Sequence, residues 1–461
     1  VSRPSDPSLA PPLWQLLQST ARVVRAVREG QSATPALAAV PAALRPGTQA
    51  LALQALRALG RAQALRDRLA RRAPPPLADA LLCTALALTW DPARSPYAPH
   101  TLVDQAVEAA KRERATVGQA AFLNACLRRF LREREALVAA TEADPVARWN
   151  HPAWWIERLR ADHPERWEAV LRAGNAPPPM TLRVNRLRTT PQALQQRLAE
   201  AGVQAAWDGR DALVLDSPRP VQAIPGFEAG DVSVQDLAAQ QAAPLLLDGL
   251  ASPPTGRPWR LLDACAAPGG KTAHLLEMLQ AHQPPVAAQV LALDLDPARC
   301  RRIDETLDRL GLRAGPEGPV QVQVRAADAA HPSAWWDGQP FDAILLDAPC
   351  SGSGIVRRHP DARWLRRPSD IPALARTQDR LLAALWPLLA PGGRLVYCTC
   401  SVFREEGQAR IDSFVAHNTE AVLRPAPGHL LPQDPDKGPP VRENRAGDQD
   451  GFYYARLDKR I

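Results

Sequence analysis

Apolar residues recur at spacings of three and four from about Leu13 to Glu135, with few strand-like runs, so the first part of the chain reads as helices. Leu53, Leu56 and Leu59, then Leu77, Leu81 and Leu88, mark stripes that face a core; Phe122, Leu123, Cys126, Leu127, Phe130 and Leu131 mark another. A second segment opens near His151-Pro152. It has helical spacing over 154–160 and 167–173, an extended run Met180-Thr181-Leu182-Arg183-Val184-Asn185, a helix over 191–201 and a strand over 212–215. Beyond Gly230 strands and helices alternate, with strands at 260–263, 290–294, 320–324, 341–347 and 393–397 and helices from Lys271 and over 371–389. That alternation predicts a doubly wound parallel sheet with helices on both faces, binding its ligands beyond the carboxyl ends of the strands. The fold class expected is thus multidomain α and α/β: an all-helical domain over 1–145, a small α/β adaptor over 146–230 and a Rossmann-like domain over 231–461. Proline clusters at 74–76, 177–179 and Pro253-Pro254 mark segment boundaries.

Charge changes this picture through its distribution. Residues 1–150 hold 20 Lys/Arg against 12 Asp/Glu, and the rest of the chain 36 against 37. A basic module joined to a neutral one suits an enzyme that holds a polyanion with one part and reacts with it through another; a solvated Arg-rich surface is the plainer alternative. The excess of Arg over Lys, 52 to 4, reads as codon bias and says little about function. Arg57, Arg61, Arg66, Arg68, Arg71 and Arg72 are candidates for a phosphate-binding face, and Arg183, Asn185 and Arg186 for RNA contacts. Seven cysteines, odd in number and without zinc-ligand spacing, point to a reduced, cytoplasmic protein with no metal. No apolar run approaches the roughly 18 residues of a membrane span, so no membrane partner is expected.

The chemistry lies in three short motifs. Asp263-Ala264-Cys265-Ala266-Ala267-Pro268-Gly269-Gly270-Lys271 joins a strand to a helix, where glycines admit a ligand to the backbone and the helix start offers free N–H groups. It is not a phosphate loop, because Cys265 stands where that motif needs its first glycine. Asp294, Asp328 and Asp347 follow successive strands; Asp294 is placed for ribose hydroxyls, Asp328 for an adenine amino group, and helix caps or turns are the bland alternatives. Asp296 reads better as a helix start. The second and third motifs, Asp347-Ala348-Pro349-Cys350 and Thr399-Cys400-Ser401, each put a cysteine just past a buried strand. A thiolate can add to an unactivated pyrimidine carbon, and a second acid/base group must help to break the adduct; on chemistry alone either cysteine can be the nucleophile. Cys398 reads as a small buried residue and Cys265 as packing at the turn. Arg357, Arg358, Arg363, Arg366 and Arg367 follow Cys350 and suit substrate phosphates.

Together these motifs resemble the RNA cytosine-5 methyltransferases of the RsmB/NSun family. Cys265 to Lys271 is similar to the family's first cofactor motif, and Asp347 to Gly352 and Thr399-Cys400-Ser401 to its two catalytic motifs. Val234-Gln235-Asp236, Arg357 to Asp361 and Asp450 to Ala455 extend the resemblance; Tyr97 to His100 and Phe122 to Arg129 resemble the NusB-like helical domain found in the family. The resemblance implies S-adenosylmethionine as cofactor, bound by Cys265, Ala266, Ala267, Pro268, Gly269, Gly270, Lys271, Asp294, Asp328 and Asp347. It implies Cys400 as the nucleophile on cytosine C6, Asp347 as the hydrogen-bond partner near N3, and Cys350 as the group assisting loss of the C5 proton and release of Cys400. The expected substrate is small-subunit (16S) ribosomal RNA and the expected state a monomer. Transfer RNA as substrate, a non-catalytic RNA-binding antitermination-like factor and a small-molecule methyltransferase are the alternatives. One departure stands out: the family often carries Glu-Asn after its Thr-Cys-Ser, whereas here Glu405-Glu406 precedes Gly407, so any orienting role of that Asn is absent or moved.

Overall fold

The helical spacing of the first third closes around the helix Pro76–Thr89, whose residues from Ala78 to Thr89 are all buried. A helix that is apolar all round must be enclosed by others, and Leu13–Arg28, Arg45–Arg57, Leu59–Leu69, Pro99–Lys111 and Ala120–Ala140 supply the neighbours. Leu17, Leu56, Leu82, Leu86, Leu123, Leu127 and Phe130 fill this core, while Leu53 and Leu77 are half-buried at its margin. Pro76, Pro99 and Pro145 each open a helix, where a missing N–H costs nothing. The computed structural model describes residues 11–251, 257–283, 286–313, 315, 318–434 and 448–461. The Pro253-Pro254 boundary lies outside the described residues. Two compact units form: one contains the chain up to Pro177 and the segment Val356–Arg367, the other Pro178–Ile355 and Pro368–Ile461.

Much of the basic stripe in the first unit is spent on its own architecture. Arg61 is buried and reaches Val138 O at 3.3 Å and Glu142 at 2.6 Å; Arg66 pairs with Asp67 and Asp79 at 3.1 and 3.2 Å. Arg57 donates to Arg357 O at 2.6 and 3.1 Å, and Arg68 to Ala64 O and Ala140 O. Of the six residues expected on a phosphate face, Arg68, Arg71 and Arg72 are the exposed ones, and Arg68 is engaged with backbone carbonyls. The segment after Cys350 also departs from expectation. Arg363 is fully buried and donates to Asn150 O at 3.0 Å, Asn175 Oδ1 at 2.5 Å, Gly174 O and Val356 O. Arg357 is buried too, so these two are structural rather than a surface for phosphates. Burial, with Arg57 beside it, lowers the Arg363 guanidinium to about 9.

The second unit holds two sheets. The small one orders its strands β2 (Ala205–Trp207), β3 (Ala212–Leu215), β1 (Thr181–Val184) and β4 (Val232–Val234), all antiparallel, so an edge strand comes from beyond residue 230. Leu182 and Val184 pack on Leu194 and Leu198 of the helix Pro191–Glu200, and alternation turns Arg183 to the opposite face. There Arg183 is 1% exposed and grips Glu277 through two bonds of 2.7 and 3.2 Å, with a third to Gly270 O at 2.8 Å. Asn185, also buried, donates to Gly230 O at 3.0 Å; of the three expected RNA contacts at this strand, Arg186 is the exposed one.

The large sheet runs β10 (Ala421–Leu430), β11 (Phe452–Lys459), β9 (Leu389–Thr399), β8 (Phe341–Asp347), β5 (Trp259–Ala264), β6 (Ala288–Asp294), β7 (Val320–Ala326). The five strands from β9 to β7 are parallel, as the alternation predicts, and the order reverses between β5 and β8, where such sheets bind ligands. The two antiparallel strands were not legible: β11 is buried on both faces and shows no alternation, and β10 contains Pro425, Pro427 and Gly428 around a bulge, tolerable at an edge. Between β7 and β8 a single tight turn, Pro332–Ala334, stands where a crossover helix is expected. It leaves a cleft of about 460 Å³ over Arg260, Gln289, Gln323 and Arg325.

Candidate active site

The turn after β5 is held from several sides. Cys265 (φ 62°) and Gly269 (φ 97°) both adopt left-handed backbone, and a Cβ on Gly269 would lie 3.0 Å from Ile303 Cα. Ala267 N–H donates to Asp294 Oδ2 at 3.2 Å, Ala266 N–H to Leu293 O at 2.8 Å, and Arg299 to Ala267 O at 3.0 Å. Gly270 then opens the helix Gly270–Gln280, with Lys271 and Thr272 in its first turn. Burial, then nearby Asp347 and Asp294, push the Cys265 thiol up, in keeping with a packed neutral group.

Asp263, missed as a site residue, is fully buried at the end of β5, accepting from Thr272 Oγ1 at 2.6 Å while its Oδ1 has no protein partner. Burial raises its carboxyl to about 7, against the pull of the Thr272 bond. A raised acid holds its proton more tightly in the folded chain. Its stabilising contribution is complete below the unfolded value near 4 and is lost as pH rises through about 7. Asp263→Asn removes that titration, so its stability relative to wild type is expected to rise between pH 5 and 8 by on the order of 1–3 kcal/mol, read by denaturant unfolding at each pH. A pH-independent difference would assign the titration elsewhere.

The three acidic strand ends separate. Asp294 is 2% exposed; besides Ala267 it accepts Asp296 N–H at 3.2 Å and faces Arg299 at 3.5 Å. Asp296 caps the helix Pro297–Leu310 through Ala298 N–H at 2.7 Å, as its sequence suggests. Asp328 forms a turn, accepting Ala330 N–H at 2.9 Å, and meets His331 at 3.0 Å. Asp347 lies between two donors, Lys271 Nζ at 2.7 Å and the Cys398 thiol at 3.4 Å. Burial alone would lower the Lys271 ammonium; Asp347, with Cys398 nearby, outweighs it and the net shift is upward. Cys398 is buried as expected, and its contact with Asp347 is an addition.

The structure brings the two motif cysteines together, Cys350 Sγ and Cys400 Sγ lying 3.3 Å apart. Cys350 is pushed well up, first by its hydrogen bond with Cys400 and then by burial. Beside them lies a second missed residue, Glu406, fully buried and bonded to Ser351 and Ser401. A side chain at the following Gly407 would require the neighbouring rings to shift, since a Cβ there would be 2.6 Å from the Tyr453 ring and 2.8 Å from His429. The terminal motif closes the site: Lys271 Nζ sits 5.4 Å from the Phe452 ring centre, and Gly451 N–H donates to Gly354 O at 2.9 Å in a backbone-on-backbone contact that excludes any side chain at either glycine. Among the described residues no group of His, Cys, Asp and Glu is placed to hold a metal, and no helix is long and apolar enough to cross a membrane.

With this geometry in hand, comparison with known proteins is specific. Residues 253–458 match the family described as 16S rRNA methyltransferase RsmB/F, and residues 151–222 the ferredoxin-like domain of RsmF/B-like methyltransferases. The chain is 46% identical to ribosomal RNA small subunit methyltransferase B of Pseudomonas putida over 349 residues, 73% of each chain. It is 41% identical to the Escherichia coli protein of the same name over 369 residues, 78% of each. A crystal structure of a methyltransferase homologue protein from Pyrococcus horikoshii matches with a TM-score of 0.53 at 25% identity, covering 68% of this chain and 98% of that one.

Proposed function

The chain belongs to the RsmB/F family of 16S ribosomal RNA methyltransferases, and from that premise we propose how its own residues carry the reaction. It is an RNA methyltransferase that uses S-adenosylmethionine and acts on small-subunit ribosomal RNA. The proposal is that the methylated atom is C5 of a cytosine and that the base is activated through a covalent bond to Cys400. The observation that carries it is the 3.3 Å approach of Cys350 and Cys400 beside Asp347, itself held by Lys271 and Cys398.

S-adenosylmethionine supplies an electrophilic methyl group on a cationic sulfur. The residues present suit such a ligand: the left-handed turn from Cys265 through Gly269 to Lys271, carboxylates at Asp294, Asp328 and Asp347, and the unpartnered, buried Oδ1 of Asp263. Cys400 attacks C6 as thiolate, which makes C5 electron-rich enough to accept the methyl group. Asp347, oriented from both sides, bonds the base near N3 and relieves charge developing there. Cys350 assists loss of the C5 proton, and restoring the ring double bond expels Cys400. A cytosine inside folded RNA must leave its stack to reach this site. The basic first third is proposed to hold the RNA, the protein to act as a monomer without a metal, and its free thiols to fit the reducing cytoplasm.

The test is transfer of labelled methyl to unmodified small-subunit ribosomal RNA, with transfer RNA in parallel. The expected product is 5-methylcytosine in the ribosomal RNA. Label in transfer RNA alone would overturn the substrate, and tight RNA binding without transfer to either would restore the binding-factor alternative.

A further inference from the structure

Cys350 and Cys400 lie on the connections after β8 and β9, which pair in parallel with Asp347 opposite Cys398; the sheet brings the two connections side by side, and contacts beyond the strands hold the sulfurs 3.3 Å apart. The residue following each cysteine is a serine, and both serines converge on buried Glu406. Glu406 Oε1 accepts Ser351 N–H at 2.7 Å and Gln378 Nε2–H at 3.5 Å; Oε2 accepts the Ser401 hydroxyl at 2.7 Å and the Ser351 hydroxyl. Proton directions follow. Ser351 Oγ accepts Ser353 N–H at 3.2 Å and Ser401 Oγ accepts Phe403 N–H at 3.1 Å. Ser353 Oγ accepts Val402 N–H at 2.9 Å, and because the Ser401 hydrogen goes to Glu406, Ser353 donates its own to Ser401 Oγ at 2.8 Å. Every hydroxyl hydrogen in the set points toward the carboxylate, and an ionised carboxylate is the form with four acceptor positions and no hydrogen of its own.

The opposite flank of Cys350 is held as well. Gln378 Nε2, fixed by its second bond to Glu406, donates to Pro349 O at 2.9 Å. Tyr397 Oη and Thr399 Oγ1 donate to the Glu406 carbonyl at 2.9 and 3.2 Å, tying the acid's backbone to β9. The connections are thereby pinned at the peptide units beside each sulfur.

We infer that Glu406 is a positioning residue that sets the separation of Cys350 and Cys400, acting through Ser351 and Ser401. The inference rests on the proposed roles of the two cysteines and deepens them: attack and release use neighbouring sulfurs, and a displacement of about 1 Å at a reacting group costs on the order of 100-fold in rate. Glu406 has a second effect. Behind the Cys400 hydrogen bond and burial, its charge helps to keep the Cys350 thiol up.

The test uses the full chain with Glu406→Gln, which keeps the shape and removes the charge, and Ser401→Ala, which deletes one arm of the network. Methyl transfer to small-subunit ribosomal RNA gives kcat and KM. Peptide-resolved alkylation of Cys350 against pH, in a Cys400→Ser background with and without Glu406→Gln, gives the thiol's midpoint. The expected result is a kcat lower by roughly 10- to 100-fold with KM within about twofold, and a Cys350 midpoint moved to lower pH. Ser401→Ala is expected to lower kcat by about tenfold, and it decides the matter if Glu406→Gln does not fold. A kcat within about twofold of wild type, or a loss that follows thermal stability alone while the Cys350 midpoint stays put, overturns the positioning role. The cysteine reading fails separately: methyl transfer by Cys400→Ala at the wild-type rate removes it, whereas a silent Cys400→Ala beside an unimpaired Glu406→Gln removes only the role of Glu406.

Discussion

Cys400→Ala is expected to lower methyl transfer by about 10⁴-fold or more while leaving S-adenosylmethionine binding unchanged. The size follows from what the thiolate supplies. Carbon 5 of an intact cytosine is a poor nucleophile, and in the proposed mechanism it is the Cys400–C6 bond that converts the ring into a reactive species. Asp347 and Lys271 remain in place, so the base is still bound and its N3 still contacted, but charge stabilisation has nothing to stabilise until the adduct forms. Cofactor binding should survive because the turn from Cys265 to Lys271 is held by Asp294, Leu293 and Arg299, none of which depends on residue 400. Stability should change by less than about 1 kcal/mol, since Cys400 is only half-buried and its backbone carbonyl keeps the Gly354 N–H at 2.9 Å. Isothermal titration with S-adenosylmethionine beside single-turnover transfer separates these effects.

Cys350→Ala is expected to fail differently, by accumulating protein joined to RNA. Its sulfur is the group 3.3 Å from Cys400, beside both the C5 proton that must be lost and the sulfur that must leave. Removing it leaves attack possible, because Cys400 and Asp347 are untouched, and slows resolution. Multiple turnover should fall by roughly 100-fold or more, while a band of protein–RNA conjugate, stable to denaturant, appears on mixing with cofactor and RNA. Free turnover at the wild-type rate would remove Cys350 from the mechanism.

What was legible beforehand divides along physical lines. The placing of the turn after β5 and of Asp347, Cys350 and Cys400 beside one another could be read because each follows an apolar run that ends a strand of a parallel sheet; β8 and β3 fall at the residues expected. Charged side chains were read less well. Arg183, Arg357 and Arg363 looked like surface groups for phosphate, since long basic residues near loops usually are. All three are buried, and for two the partners are distant in sequence: Arg183 meets Glu277 and Gly270, Arg363 meets Asn150, Gly174 and Asn175. Periodicity carries no information about such meetings. Glu406 is illegible for a related reason: the residues after Thr399-Cys400-Ser401 show only that Gly407 stands in place of an Asn, whereas the carboxylate's partners include Ser351, 55 residues away. Asp263 needed burial to be noticed, and β10 and β11 lacked alternation because one carries prolines and the other is covered on both faces.

The most direct test of the central claim is to locate the covalent bond. The conjugate formed by Cys350→Ala with small-subunit ribosomal RNA and S-adenosylmethionine is digested with nuclease and protease, and the modified peptide is sequenced by mass spectrometry. A pyrimidine nucleotide on the peptide containing Cys400, absent from Cys350→Ala/Cys400→Ala, is the predicted result. A nucleotide attached at Cys350 in the Cys400→Ala protein, or undiminished methyl transfer by that protein, would contradict the account.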